Sequence, residues 1–317
     1  MKIPKGVVSA FREAGPFLIA SHIDPDGDAL GSALALGLGL KAAGKKVFLY
    51  NRDPVPSYHR YLPGQRLFRH DIRPLAKGDP LIVLLDCNSP ERAAAGGYSY
   101  RKSVVIDHHE TESSFGTVRW VEPAAAATGM MIYYLLKALR IPITPEIATN
   151  LYTAIAVDTG TFRYSNTSAE VLRVGAALVE AGAEPNVISE HLYESWEYGR
   201  FRLLTMVLNT LEIRGHVALT HITRAMYRKT GTSAEATENF SNIPRIIGSV
   251  KISALLREVG SREWKASLRS KGGMNVAKIA ERFGGGGHQN AAGFRIKADL
   301  ESAKKAILRE AAKIKIL

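Results

Sequence analysis

The stretch SHIDPDGDALGSALALGLGL, residues 21–40, decides how this chain is read. It sets His22, Asp24, Asp26 and Asp28 close together and then turns apolar. Just upstream, GPFLIASHI reads as a short buried strand bounded by Gly15-Pro16 and Asp24-Pro25. From Ala29 to Ala43 the Ala, Leu and Gly residues read as a helix buried on most sides. An imidazole and three carboxylates therefore stand where a strand ends and a helix begins. Open α/β sheets bind their ligands outside the carboxyl ends of the strands.

Working outward, KKVFLYN reads as a second strand and DPLIVLLD, residues 79–86, as a third. The third lacks alternation, as a strand covered on both faces does. KSVVIDHH, residues 102–109, is a fourth and TVRWVEP a fifth, with helices expected at about 124–140, 145–157 and 168–182. This alternation predicts an α/β fold with a doubly wound, mostly parallel sheet. Gly182 and Pro185 break the pattern. Residues 186–212 read as a long helical connector. Beyond it, HVALTHIT, ISALLREV, EWKASLRS and AAGFRIK read as strands, with helices around 233–240 and 275–283, giving a smaller α+β unit. The expected division is 1–185, 186–212 and 213–317.

A length of 317 residues suits two domains. The one cysteine, Cys87, excludes an intramolecular disulfide and fits a reducing cytoplasm. FLIA is too short for a signal core or a membrane span, so no membrane partner is expected. The net charge of +12 is compatible with a solvated basic surface or with attraction to phosphates. A homodimer is compatible with the sequence.

Other elements also end in acids. The third strand ends in Asp86, the fourth in Asp107, His108 and His109, and NLYTAIAVDTG in Asp158 before Gly160. One acid after a strand is commonly a cap or turn former. Four such ends, two with histidines, point to convergence on one sheet edge. Like charges so close raise one another's pKa values, and a divalent cation removes the conflict. His22, Asp26 and Asp28 can face one pocket across a tight turn, with Gly27 supplying backbone freedom. Imidazoles and carboxylates without thiolate suit Mn²⁺, Mg²⁺ or Co²⁺. Six ligands suit two ions roughly 3.5–4 Å apart. Cys87 reads as buried packing and Asp24 as a turn-stabilising carboxylate, while Arg163 and Tyr164, close after Asp158, are compatible with bordering the site but read first as ordinary turn residues.

HIDPDGDALGS, LLDCNSPER, VIDHHE and AVDTGTF, in that order, resemble the four motifs of the DHH phosphoesterases, named for Asp107-His108-His109. GGGGHQNAAGF, residues 284–294, resembles the signature of the DHH-associated C-terminal domain. The two-domain length is most similar to the oligoribonuclease branch of that family. The resemblance implies a metal-binding catalytic domain, a substrate-binding domain after the connector, and an active site in the cleft. It implies a two-metal phosphodiesterase, most simply with Mn²⁺, that hydrolyses very short oligoribonucleotides to mononucleotides. Such enzymes also dephosphorylate 3′-phosphoadenosine 5′-phosphate to AMP. His22 and Asp26 would hold one ion, Asp28, His108 and Asp158 the other, and Asp86 would bridge them. His109 would face the scissile phosphate and Asp107 would orient a histidine. Arg269, Ser270, Asn275, Gly285, Gly286, Gly287 and His288 would hold the nucleotide, the glycine backbone approaching a phosphate or sugar. Alternatives in the same superfamily are a cyclic or linear dinucleotide phosphodiesterase and a general single-strand exonuclease. A catalytically inactive nucleotide-binding regulator would be expected to lack some of these ligands.

Overall fold

The apolar run Phe17–Ala20 forms β1, every side chain of it buried. The computed structural model describes residues 1–13, 15–75, 77, 79–87, 89–96, 102–109 and 115–314. Asn88 and Glu110, letters of two of the motifs, lie outside the described residues. The chain divides into two compact units, Met1–Ser195 and Trp196–Leu317.

In the first unit β1 is followed by β2 (Val47–Tyr50), β3 (Phe68–Arg69), β4 (Leu81–Leu85), β5 (Ser103–Asp107) and β6 (Val118–Val121). They form a parallel sheet in the order β3-β2-β1-β4-β5-β6. The continuous runs LIVLL and SVVID are buried throughout, as a sheet covered on both faces requires. Because all these strands point one way, their carboxyl ends share one edge. The register sets Ala20 beside Tyr50 and Leu84, Leu85 beside Ile106, and Asp107 beside Val121. Ser21-His22, Asn51, Asp86 and Asp107–His109 therefore follow along that edge.

The helices are α1 (Lys5–Glu13), α2 (Gly27–Ala42), α3 (Thr128–Ala138), α4 (Pro145–Asp158), α5 (Ala169–Glu180) and α6 (Pro185–Ser189). Asp26 caps α2, its side chain accepting from the amides of Asp28 and Ala29 at 3.0 Å each. Between Gly27 and Leu40 only Leu38 is not fully buried, so α2 is an inner helix packed on α4. Gly31 allows that approach: a Cβ there would lie 2.4 Å from the Asn150 carbonyl oxygen. Thr144 caps α4 with Pro145 in its first turn, and Ser168 caps α5.

The second unit contains α7 (Tyr198–Leu208), β7 (Glu212–Arg214), β8 (Val217–Ile222), α8 (Arg224–Thr230), β9 (Ile252–Gly260), β10 (Glu263–Ser270), α9 (Ala277–Glu281), β11 (Gly286–His288), β12 (Ala291–Lys297) and α10 (Leu300–Ala311). Its mixed sheet runs β11-β12-β10-β9-β8-β7, with β8 and β9 parallel and the other pairs antiparallel. β10 alternates strictly, burying Trp264, Ala266, Leu268 and Ser270. Leu268, Phe294, Ile279 and Ile307 share one core with α9 and α10. Leu203, Val207, Phe240 and Leu255 form a smaller one against α7.

Three expectations need correction. Residues 186–212 are not one helix: α6 passes into a π-helical turn at Glu190–Glu194, breaks at 195–197, and resumes as α7 before β7. The helix expected around 233–240 is a 3-10 turn at Ala234–Thr237, followed by another at Phe240–Ile246 that includes Pro244. The glycine run 284–287, expected as a binding loop, contributes Gly286 and Gly287 to β11, paired with β12.

Gly31→Ala tests the α2–α4 packing. Helix propensity alone would favour Ala by about 1 kcal/mol, whereas overpacking costs about 1–3 kcal/mol. The Cβ meets backbone, which yields little, so a lower urea midpoint is expected. A raised midpoint would mean that α4 moves freely at Asn150.

Candidate metal centre

His22 follows β1 directly. Its Nδ1 lies 2.8 Å from the Ile23 carbonyl oxygen. A carbonyl can only accept, so Nδ1 carries the hydrogen and Nε2 faces the pocket. Nε2 is 3.3 Å from Asp86 Oδ2 and 4.0 Å from Asp26 Oδ1. The segment is braced by buried Asn51, whose Nδ2 donates to Ser21 Oγ and to the His22 carbonyl oxygen.

His108 repeats the device. Its Nδ1 donates to the Ala125 carbonyl oxygen at 3.1 Å. Its Nε2 lies 3.1 Å from Asp158 Oδ2, 3.4 Å from Asp86 Oδ1 and 3.6 Å from Asp28 Oδ2. Asp28 is wholly buried. Its Oδ1 accepts from the Gly129 amide and Ser32 Oγ, and its Oδ2 from the Thr128 amide. Asp158 ends α4; its carbonyl oxygen accepts from Asn166 Nδ2, which also reaches the Ala126 carbonyl. The turn after it holds Gly160, Thr161 and Phe162 at φ 57, 59 and 60. A β-branched residue such as Thr161 is rare there. Arg163 Nε braces the turn through the Gly160 carbonyl at 2.6 Å.

Donor atoms within 4.8 Å of one another gather His22, Asp26 and Asp86, and Asp28, His108 and Asp158; Asp86, Asp107 and His109 make a further such group beside them. Asp86 turns Oδ2 to the first and Oδ1 to the second. Imidazole lone pairs cannot face carboxylate oxygens at such distances without a proton or a cation between them. Metal-free, protons fill that role. Burial pushes the His22 imidazole down, but the Asp86 hydrogen bond and the charges of Asp26 and Asp86 raise it to about 10. His108 is likewise raised against its burial by Asp158 and Asp86. Burial, then the charges of Asp86 and Asp158, hold Asp28 well above the usual carboxylate range. Asp86, opposed by burial, is held well below it by His108 and His22. Nitrogen and carboxylate donors with both Nδ1 hydrogens committed to carbonyls fit a hard or borderline divalent ion. Buried Cys87 offers its hydrogen to the Ser89 carbonyl, and burial pushes its thiol up to about 11.

His109 stands apart. Its Nδ1 is 2.6 Å from Oδ1 of fully buried Asp107. Burial lowers the imidazole, but the Asp107 bond and the Asp86 charge raise it overall. Asp24 belongs to neither cluster; it sits at φ 53 with its amide on Asp53 Oδ2.

Of the residues expected to hold a nucleotide, several are committed within the second unit. Ser270 is buried, its Oγ donating to the Met274 carbonyl. Asn275 Oδ1 accepts from the amides of Ala277 and Lys278 at the start of α9. A Cβ at Gly285 would meet the Gly293 carbonyl at 2.1 Å, and one at Gly287 the Ala291 carbonyl at 2.4 Å. The close approach that requires those two glycines is to β12. Gly286 faces open space. Arg269, half-buried on β10, donates to the Leu268 carbonyl, and His288 pairs with Ala291. Thr128, Ser32, Asn51 and Asn166 were missed by the sequence reading. Asn51, directly after a strand, carried a signal; Thr128, within PAAAATG, did not.

The model of the DHH family N-terminal domain matches residues 16–155, and that of the DHHA1 domain matches residues 218–314. A Thermus thermophilus protein named bifunctional oligoribonuclease and PAP phosphatase NrnA is 37% identical over 297 residues, covering 93% of this chain and 88% of that one. The chain belongs to the DHH family. A Bacillus subtilis protein of the same name is 26% identical to this DHH chain, covering 91% of it and 94% of the relative. The crystal structure of an exopolyphosphatase-related protein from Bacteroides fragilis superposes with a TM-score of 0.88 at 28% identity, covering 97% and 95% of the two chains.

The raised His22 pKa has a defined consequence for the metal-free protein. Its contribution to stability is fully present below its ordinary value near 6.5 and is lost as pH rises through about 10. Melting temperature measured in chelator should therefore fall across that window, and His22→Asn should flatten the fall. An equally steep fall in the variant would place the titration elsewhere.

Proposed function

We propose that this chain is a two-metal phosphodiesterase that hydrolyses very short oligoribonucleotides to mononucleotides and removes the 3′-phosphate of 3′-phosphoadenosine 5′-phosphate to give AMP. The observation that carries the proposal is Asp86, whose two oxygens turn to two different sets of imidazole and carboxylate donors. The names borne by the relatives from Thermus thermophilus and Bacillus subtilis support the substrate class.

In this reading His22 and Asp26 would hold one Mn²⁺, Asp28, His108 and Asp158 would hold the other, and Asp86 would serve both. Bound there, two divalent ions supply Lewis-acid polarisation and a water of lowered pKa. Hydrolysis would form one P–O bond to the oxygen of a water molecule as the ester P–O bond to ribose breaks, the proton given up by the water ending on the leaving ribose oxygen. His109, whose Nδ1 is held on Asp107 Oδ1, would turn its Nε2 to the phosphoryl oxygen on which charge develops. Residues 1–185 carry the chemistry and residues 213–317 hold the nucleotide, through Arg269, His288 and Gly286, beside whose Cα the space is open. The charge is divided to match. Residues 196–317 hold 22 of the 42 lysines and arginines and 10 of the 30 acids, whereas residues 1–195 hold 20 of each. The whole of the +12 thus lies in the unit proposed to attract phosphates. Among the described residues no helix is long and apolar enough to cross a membrane.

Asp86→Ala should abolish turnover of a dinucleotide and of 3′-phosphoadenosine 5′-phosphate alike, with circular dichroism unchanged. Turnover above about a tenth of wild type would deny Asp86 the bridging role, since loss of a metal ligand costs far more than that.

Chain length provides a separate check. Dinucleotides to pentanucleotides should be cleaved rapidly and a 24-mer slowly, because a second unit of this size offers no long stacking channel. Binding of any length should weaken steeply with salt. A 24-mer digested as fast per nucleotide as a dimer at physiological salt would replace this reading with a general single-strand exonuclease.

A further inference from the structure

The amino end of α3 meets the carboxylate cluster at three points. The Thr128 amide donates to Asp28 Oδ2 at 2.7 Å and the Gly129 amide to Asp28 Oδ1 at 2.8 Å. The Thr128 hydroxyl donates to Asp86 Oδ1 at 3.2 Å. Thr128 and Asp28 are wholly buried, and Asp86 is 2% exposed. The residue before the helix, Ala127, makes no side-chain cap. The Asp28 carboxylate, from α2, takes that place. Gly129 also lets α3 pack closely on α4, since a Cβ there would stand 2.5 Å from the Ala154 Cβ.

We infer that Thr128 is a positioning residue of the metal centre, its hydroxyl setting the rotation of the Asp86 carboxylate while its amide sets that of Asp28. The inference rests on the two-metal reading above. Asp86 projects from a left-handed turn, φ 55, at the end of β4. His22 holds its Oδ2 on one side. On the other side Oδ1 has Thr128 at 3.2 Å, His108 Nε2 at 3.4 Å and His109 Nδ1 at 3.6 Å. With the two imidazole nitrogens occupied by a metal ion and by Asp107, Thr128 is, among the described residues, a donor still placed to oppose rotation of Oδ1. A hydrogen bond from a neutral donor to a buried carboxylate is directional, and ligand carboxylates held in this way keep the orientation a metal requires. Asp28 is held in its plane by amides on both oxygens. One residue thus couples a carboxylate from the end of β4 to one from the start of α2.

The test uses the full chain, stripped with chelator and titrated with Mn²⁺ alone by calorimetry, with bound Mn²⁺ counted by electron paramagnetic resonance. Wild type is expected to take up two ions. Thr128→Val keeps the shape and both amides but removes the hydroxyl; Mn²⁺ affinity at one site or both should fall about tenfold or more. Thr128→Ser should recover most of that loss. Thr128→Ala serves the same purpose if the valine variant fails to fold. Two ions bound with unchanged affinity by the valine or alanine variant would overturn the role, as would a serine variant no better than valine. A wild type that takes up no Mn²⁺ would instead refute the two-metal reading itself.

Discussion

Asp86 lies buried between two imidazoles, each facing a different one of its oxygens, and the first unit is arranged so that this can happen. Carboxylates and imidazoles withdrawn from water are costly unless each charge is answered. Here the answers come from outside the cluster. Carbonyls of Ile23 and Ala125 take the Nδ1 hydrogens, Asn51 and Asn166 hold the turns that carry His22 and Asp158, and Thr128, Gly129 and Ser32 hold Asp28. What remains unanswered points inward, and it is protons or a cation that balance it.

That arrangement constrains the fold more tightly than ordinary core packing does. Parallel strands put every carboxyl end at one edge, so β1, β4 and β5 can each deliver a candidate ligand without a long excursion. α2 must reach the same edge while buried nearly all round, which explains its small residues. Gly31 lets it lie on α4, and Gly129 lets α3 lie on α4 beside it. Core glycines in these helices trade helix propensity for approach.

The second unit follows a different physics. Its sheet alternates, with one residue in two turned inward, and it holds the chain's whole excess of positive charge. No comparable carboxylate cluster occurs there among the described residues. Its glycines look at first like a phosphate cradle, yet two of the four are required by pairing with β12.

The sequence by itself determined the parallel sheet, the inner helix α2 and the six ligand candidates, because these depend on local features. Continuous apolar runs mark strands buried on both faces, and acids placed directly after them inherit the strand's end point. His22, Asp86, Asp107 and His108 were legible for that reason. The tertiary structure alone decided which oxygen of Asp86 faces which histidine, and that α3 begins against Asp28. Thr128 carries no local sign of its role, since its partners are 42 and 100 residues away in sequence. The intrachain contacts of Ser270 and Gly285 were not legible for the complementary reason: a polar or flexible residue beside a binding motif has the same local appearance whether it meets a ligand or its own chain. Only the packing of β10 and β12 distinguishes the two.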